Sequence, residues 1–373
     1  MIQRSIVQQI DKAFKLKPIV VLLGARQVGK STLTEHWKQK QKPGILHLNG
    51  DEQDVREALS QTSSSQLKSL IGKNKVLIID EAQRIPNIGL TLKLIADNIK
   101  TVKVLATGSS ALELSGGINE SLTGRKIELH LYPISTGELV VHTSKLEEKR
   151  MLENRLLYGM YPAIVTATDE KEWQLKNLVN DYLFKDLYAL QDVRKPAVLD
   201  KLLKALALQM GSQVSYNELA QTVGSDKETV ERYINLLEKT FVVFQLHSFS
   251  RNLRNELKKS KKVYFYDVGV RNAILNNFQP LSLRTDAGAL WENFIVTERI
   301  KFHAYNNAFT NYYFWRSLQQ QEIDLIEERK GKLIAIECKW NTKPRISFPK
   351  TFTDNYTAEE ILMTPQNYQQ HLI

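Results

Sequence analysis

Apolar positions along this 373-residue chain change their period twice. Near the start they come in short unbroken runs, "PIVVLLGA", "NKVLIID" and "VKVLATG", each followed by glycine, acids or small hydroxyl residues. Runs of that length with such ends predict fully buried strands of a parallel sheet. A further strand is expected just after Arg125, in "GRKIELHLYP". From Lys145 to Arg194 the spacing lengthens to three and four, in "LENRLLYGMYPAIV" and "NLVNDYLFKDLYALQDV", which predicts a helical connector. Tyr158, Tyr161 and Tyr182 lie at that spacing and are expected in a helical core.

From Leu199 onward, "LDKLLKALALQMG", "SYNELAQTVG" and "SDKETVERYINLLEKTFVVFQL" predict three helices separated by glycine-containing turns. Ser225 and Glu228 fit a capping box that starts the third. A helix-turn-helix followed by a β-hairpin is the layout of a winged helix. Towards the end, "ALWENFIVTERIKFHA" predicts an amphipathic helix, and "NYYFWRS", "QEIDLIEER" and "KLIAIECKW" read as three strands. The expected domains are 1–140, 141–196, 197–280 and 281–373.

Composition narrows the classes. With 42% hydrophobic and 25% charged residues the chain has the makings of several packed cores, so disorder is excluded. Its apolar runs are far shorter than the ~18 residues of a membrane helix, and the N-terminus has no signal-peptide core. A cytoplasmic protein without membrane contact is expected. A single cysteine, Cys338, excludes an internal disulfide or a multi-cysteine zinc site. The net charge of +10 suits a polyanion such as DNA. One local basic run stands out, "RNLRNELKKSKK" from Arg251 to Lys262, where the wing of the winged helix would either contact phosphates or form a solvated loop.

The first strand leads into "GARQVGKST", which fits G-x-x-x-x-G-K-[ST] at Gly24, Gly29, Lys30 and Ser31. In such a loop backbone N–H groups surround phosphate oxygens and the following helix points its positive end at them. Gly24, Ala25, Gln27, Val28, Gly29, Lys30, Ser31 and Thr32 are therefore expected to bind ATP, with Lys30 on the β and γ phosphates and Ser31 on Mg²⁺. The second strand ends in Asp80 and Glu81. Asp80 is expected in the Mg²⁺ shell, and Glu81 to polarise the attacking water. The third ends in Thr107, Ser109 and Ser110, one of which is expected to sense the γ-phosphate. Arg125 is a candidate for stabilising transition-state charge, in its own chain or from a neighbouring subunit of a homo-oligomer.

"GARQVGKSTL", "DEAQRIPNIGLTLKLIAD", "LATGSSALEL", "SLTGRKIELHLYPIS" and "YGMYPAIV" stand in the order and spacing of a group of prokaryotic P-loop ATPases. Over nearly its whole length the chain resembles these AAA-like proteins, whose C-terminal half is a domain of unknown function with a restriction-endonuclease-like end. The resemblance implies an α/β fold class: an ASCE-type P-loop sheet, a helical connector, a winged helix and a restriction-endonuclease-like α/β domain.

The terminal α-β-β-β order also resembles the core outline of PD-(D/E)xK nucleases. Glu292 would lie on the helix, Asp324 on the second strand and Glu337-x-Lys339 on the third. Such a centre needs two carboxylates on Mg²⁺ and a lysine to orient the attacking water. Asp324 and Glu337 are the expected metal ligands; Glu292, Asp324, Glu337 and Lys339 are the expected catalytic set. Alternate residues of a strand share a face, which would bring Glu337 and Lys339 together. The leading expectation is thus an ATPase that acts on DNA and carries a nuclease-like domain. The alternative is a nucleotide-controlled switch whose C-terminal half binds DNA or protein without cleavage.

Overall fold

The computed structural model describes residues 1–41, 43–108, 122–180, 187, 193–250, 261–341 and 348–373. The chain divides into two compact units, residues 4–132 with 239–241, and residues 1–3 with 133–238 and 242–373.

The first unit is built on five strands: β1 (Ile19–Leu23), β2 (Ile45–Asn49), β3 (Val76–Asp80), β4 (Lys103–Gly108) and β5 (Lys126–His130). They pair in parallel in the order β2-β3-β4-β1-β5. β1 is buried at every position, as an unbroken Ile-Val-Val-Leu-Leu run in a helix-covered sheet should be. β2 is half-buried throughout and carries His47 and Asn49, so it reads poorly as a buried run. The register places Leu22 beside Thr107 and Asn49 beside Asp80, so the ends of β1, β3 and β4 share one edge of the sheet.

In the second unit the helix Pro196–Leu208 leads to β6 (Gln213–Val214), then to the helices Tyr216–Val223 and Lys227–Lys239, then to β7 (Val243–Ser248) and β8 (Lys261–Phe265). The third of these helices does not start on Ser225. Asp226 caps it instead, accepting the Thr229 N–H at 2.7 Å and the Thr229 hydroxyl at 2.9 Å. A carboxylate that takes both donors holds the first turn better than one hydroxyl would.

After the helix Ala287–Tyr305 come β9 (Asn311–Arg316), β10 (Glu322–Arg329), β11 (Lys332–Cys338), β12 (Ala358–Met363) and the helix Tyr368–Leu372. β9, β10 and β11 form an antiparallel meander, and β12 returns parallel to β11. β7 also pairs with β9, His247 beside Tyr313 and Ser248 beside Phe314. A single seven-stranded sheet results, ordered β12-β11-β10-β9-β7-β8-β6. The segments expected as separate domains on either side of residue 280 therefore share one backbone ladder and lie in one compact unit.

The helix Ala287–Tyr305 departs from the expected amphipathic pattern. It is buried nearly all round, with Trp291, Phe294 and Ile295 in the core and Glu298, Arg299, Lys301 and His303 buried too. Burial of those charges is sustained by pairing: Lys301 with Glu298 at 2.7 Å, and Arg299 with Glu327 through two bonds at 2.7 and 2.5 Å. Of the two described tyrosines expected in the core, Tyr161 is buried and Tyr158 stacks on Phe278 at 5.8 Å; Tyr182 lies outside the described residues.

Among the described residues no helix is long and apolar enough to cross a membrane.

Candidate functional site

At the carboxyl edge of the first sheet, the turn from Gly24 to Gly29 runs from β1 into the helix Lys30–Gln39. Gln27 and Gly29 both have positive φ, 58° and 94°, and curl the backbone so that the helix N-terminus faces the cradle. A Cβ on Gly24 would lie 2.3 Å from the Leu131 carbonyl oxygen, so a side chain there would displace the loop. Ala25 and Val28 are buried and anchor the turn, while Ser31 and Thr32 are exposed on the first helical turn.

Lys30 is buried and folded back on its own loop. Its ammonium donates to the Gly24 carbonyl at 3.0 Å and the Ala25 carbonyl at 2.9 Å. Burial pushes its pKa down to about 8, against the pull of Glu81 and Asp80. The two carbonyls thus hold in place a cation that arriving phosphates would receive.

Asp80 and Glu81 end β3 at the same edge. Asp80 accepts a close hydrogen bond from the Thr107 hydroxyl and one from the Glu81 N–H at 3.3 Å. Thr107 is fully buried at this edge, and its hydroxyl orients Asp80. Ser109 and Ser110 lie outside the described residues. Glu81 adopts a left-handed backbone at φ 49°, an uncommon state for a non-glycine residue and one that clusters at functional sites. Its carboxylate accepts from Gln83 Nε2 at 2.5 Å, a partner the sequence gave no reason to single out.

Arg125 is placed elsewhere. It immediately precedes β5, whose first residue, Lys126, pairs with Ile19 at the start of β1. At ~3.3 Å per residue this is roughly 16 Å along the sheet from the phosphate loop. There Arg125 forms a two-pronged ion pair with Asp97, at 2.7 and 3.1 Å. The expected role within its own chain is corrected by this position.

The second site lies where the C-terminal strands meet the helix Ala287–Tyr305. A β-bulge between Ile323 and Ile326 interrupts the pairing of β10 with β9. Continuing the β10–β11 register one step past Leu325 and Ile336 sets Asp324 opposite Glu337. Asp324 accepts the Cys338 N–H at 2.8 Å, and Lys339 donates to Glu337 at 2.7 Å. The expected sharing of a face by Glu337 and Lys339 is thus observed. Glu292 reaches the same place from the helix, accepting from Lys262 at 3.0 Å and from the Tyr264 hydroxyl at 2.6 Å.

Lys262 was expected on an exposed basic wing, with the rest of the run from Arg251. It is instead 1% exposed on β8, paired with Glu292 and, more closely, with Glu322. Lys261 donates to the Tyr216 hydroxyl at 3.1 Å, and residues 251–260 lie outside the described residues. Burial alone would lower the Lys262 pKa; Glu292, Asp324 and Glu322 reverse this and hold it well above its ordinary value. Glu322 and Tyr264 were likewise missed, and in sequence nothing marks them.

Burial and mutual repulsion raise the pKa of Glu292, Asp324 and Glu337 alike, despite the neighbouring lysines. The folded chain therefore keeps protons there that the unfolded chain releases, and stability falls as pH rises from about 4 towards neutrality. Urea midpoints should show this decline, and it should shrink in Glu337→Gln. A variant with the parent slope would assign the decline to other groups.

Comparisons with known proteins agree with the first site. Residues 16–140 match the family described as AAA domain, residues 149–281 a domain of unknown function (DUF8612), and residues 287–372 another (DUF4143). An uncharacterized protein of Mycobacterium tuberculosis is 28% identical over 92% of this chain and 75% of its own. One of Haemophilus influenzae is 25% identical over 99% and 94%. Among solved structures, a Walker-type ATPase of Pyrococcus abyssi superposes with a TM-score of 0.50 at 16% identity, covering 74% of this chain and 96% of that one. Over residues 16–140 the N-terminal unit, with its parallel sheet and phosphate loop, is thus similar to AAA-type P-loop domains.

Proposed function

We propose that this protein binds and hydrolyses ATP as a molecular switch, and that its C-terminal half engages DNA or protein without cleaving it. The observation that carries the first part is the meeting of Lys30, Asp80 and Glu81 at one edge of a parallel sheet, where ligands of such sheets bind. Ser31 offers a hydroxyl and Asp80 a carboxylate for Mg²⁺, which when bound would neutralise charge between the β and γ phosphates. Arg125 is proposed to serve the nucleotide of a second copy, which implies a homo-oligomer.

For the second part, the order helix, β6, helix, helix, β7, β8, with β8 between β6 and β7, supports a winged helix. The third helix exposes Lys227, Arg232, Asn235 and Lys239 along with Glu228 and Glu231. Glu238 turns inward to Gln245, bonded at 2.8 and 2.6 Å, so the exposed face is less acidic than its sequence. That face and the net charge of +10 favour DNA as the partner. A Mg²⁺-dependent nuclease is the second reading. The order of the helix Ala287–Tyr305, β9, β10, β11, the short helix Lys350–Thr353 and β12, with Asp324 opposite Glu337, favours that fold, whereas the ammonium of Lys262 among the acids disfavours its chemistry.

Glu81→Gln tests the ATPase. It should bind a fluorescent ATP analogue like the parent and turn over ATP about 100-fold more slowly, the loss expected for a missing general base. Hydrolysis at the parent rate would remove Glu81 from the mechanism. Turnover measured with duplex, branched and single-stranded DNA names the partner: stimulation by one form supports DNA, and indifference to all three points to protein.

A further inference from the structure

Two carboxyl groups, those of Glu292 and Glu322, pair with one buried ammonium, that of Lys262, and the charge of a third, Asp324, acts on it. We infer that Lys262 is the resident cation of this pocket, standing where a metal-dependent centre would hold a divalent ion, and that the pocket is complete without metal. The inference is independent of the ATPase reading, because ATP turnover plays no part in its test.

Three observations carry it. Lys262 Nζ lies 3.0 Å from Glu292 Oε1 and closer still to Glu322 Oε1, on a side chain 1% exposed, so the space between these two acids is filled. The same nitrogen sits 5.5 Å from the centre of the Phe314 ring. An aromatic face attracts a compact ammonium, whereas Mg²⁺ or Mn²⁺ demands oxygens at ~2.1 Å on several sides. Finally, one oxygen of each nearby acid already has its donors. Glu292 Oε1 accepts from Lys262 and Tyr264, Asp324 Oδ2 from the Cys338 N–H, and Glu337 Oε2 from Lys339. Among the described residues no three His, Cys, Asp or Glu side chains are arranged to hold a metal ion. Of the pair expected as metal ligands, Glu337 is thus supplied with a cation, Lys339, and Asp324 with a main-chain donor, by the chain itself.

Lys262 comes from the segment 149–281, and the acids from the segment 287–372. One ammonium therefore ties β8 to both the helix Ala287–Tyr305 and β10, a cross-link that a diffusible ion would otherwise provide.

Mn²⁺ binding to the full chain without nucleotide, followed by electron paramagnetic resonance and by melting temperature, tests the inference. The parent should show no Mn²⁺ site that Asp324→Asn removes. Lys262→Met keeps the length of the side chain and deletes its charge. It should gain a Mn²⁺ site and a rise of about 5 °C in melting temperature on adding Mn²⁺, both lost again in Lys262→Met with Asp324→Asn. Parent protein that binds Mn²⁺ in an Asp324-dependent way overturns the inference. So does a Lys262→Met protein as stable as the parent and indifferent to Mn²⁺. The measurement on the parent decides the matter even if the variant fails to fold.

Discussion

Lys30→Ala should weaken ATP binding by about 100- to 10,000-fold, because an ammonium that contacts two phosphates contributes charge-assisted bonds of about 1.5–3 kcal/mol each. The folded-back position of Lys30 adds a second signature. Burial holds its pKa at about 8 before nucleotide arrives, and phosphates would raise it. Binding then takes up a proton above that pH, so the parent's affinity should fall by up to about tenfold per pH unit beyond 8. Lys30→Ala should lose that pH dependence as well as affinity. Titration calorimetry at pH 7 and 9 reads both, and a variant that keeps the slope would place the titrating group elsewhere.

Gly269→Ala should cost the second unit about 3–5 kcal/mol, lowering its melting temperature by roughly 10 °C or more. The new Cβ would stand 2.1 Å from the Tyr158 carbonyl oxygen, 2.4 Å from its carbon and 2.7 Å from the Gly159 nitrogen. That backbone cannot easily retreat. Asp267 accepts the Met160 N–H at 2.7 Å, and Asn272 donates to the carbonyls of Leu156 and Leu157 at 3.0 and 2.9 Å. Gly288→Ala is the control: nothing lies within 4 Å of its new Cβ, so on a helix it should be neutral or slightly stabilising. Equal melting temperatures for the two variants would show that the contact at Gly269 relaxes freely.

The phosphate loop was legible because its chemistry is contiguous: strand, glycines, lysine and hydroxyl follow one another within a few residues. Asp80 and Glu81 were legible for the same reason, as acids closing an apolar run. The bond from Thr107 to Asp80 was hidden because the sequence shows where a hydroxyl stands and not which neighbour binds it. Lys262 was hidden more deeply. Its partner Glu292 lies 30 residues away, and in the sequence it sits at the end of a basic run that looks exposed. The face shared by Glu337 and Lys339 followed from strand geometry alone, but the opposition of Asp324 to Glu337 depends on the register of β10 against β11, which no local pattern announces.

The pairing of β7 with β9 means that the join between the segments 149–281 and 287–372 runs through main-chain hydrogen bonds, such as that from Phe249 N–H to the Phe314 carbonyl at 2.7 Å. Side chains along this seam can drift through many substitutions without loosening it, because amide groups are common to every residue. A fragment ending between the two segments would instead bare β7 as an unprotected edge, open to pairing with any strand that meets it. The seam therefore tolerates a change of letters far better than a break in the chain.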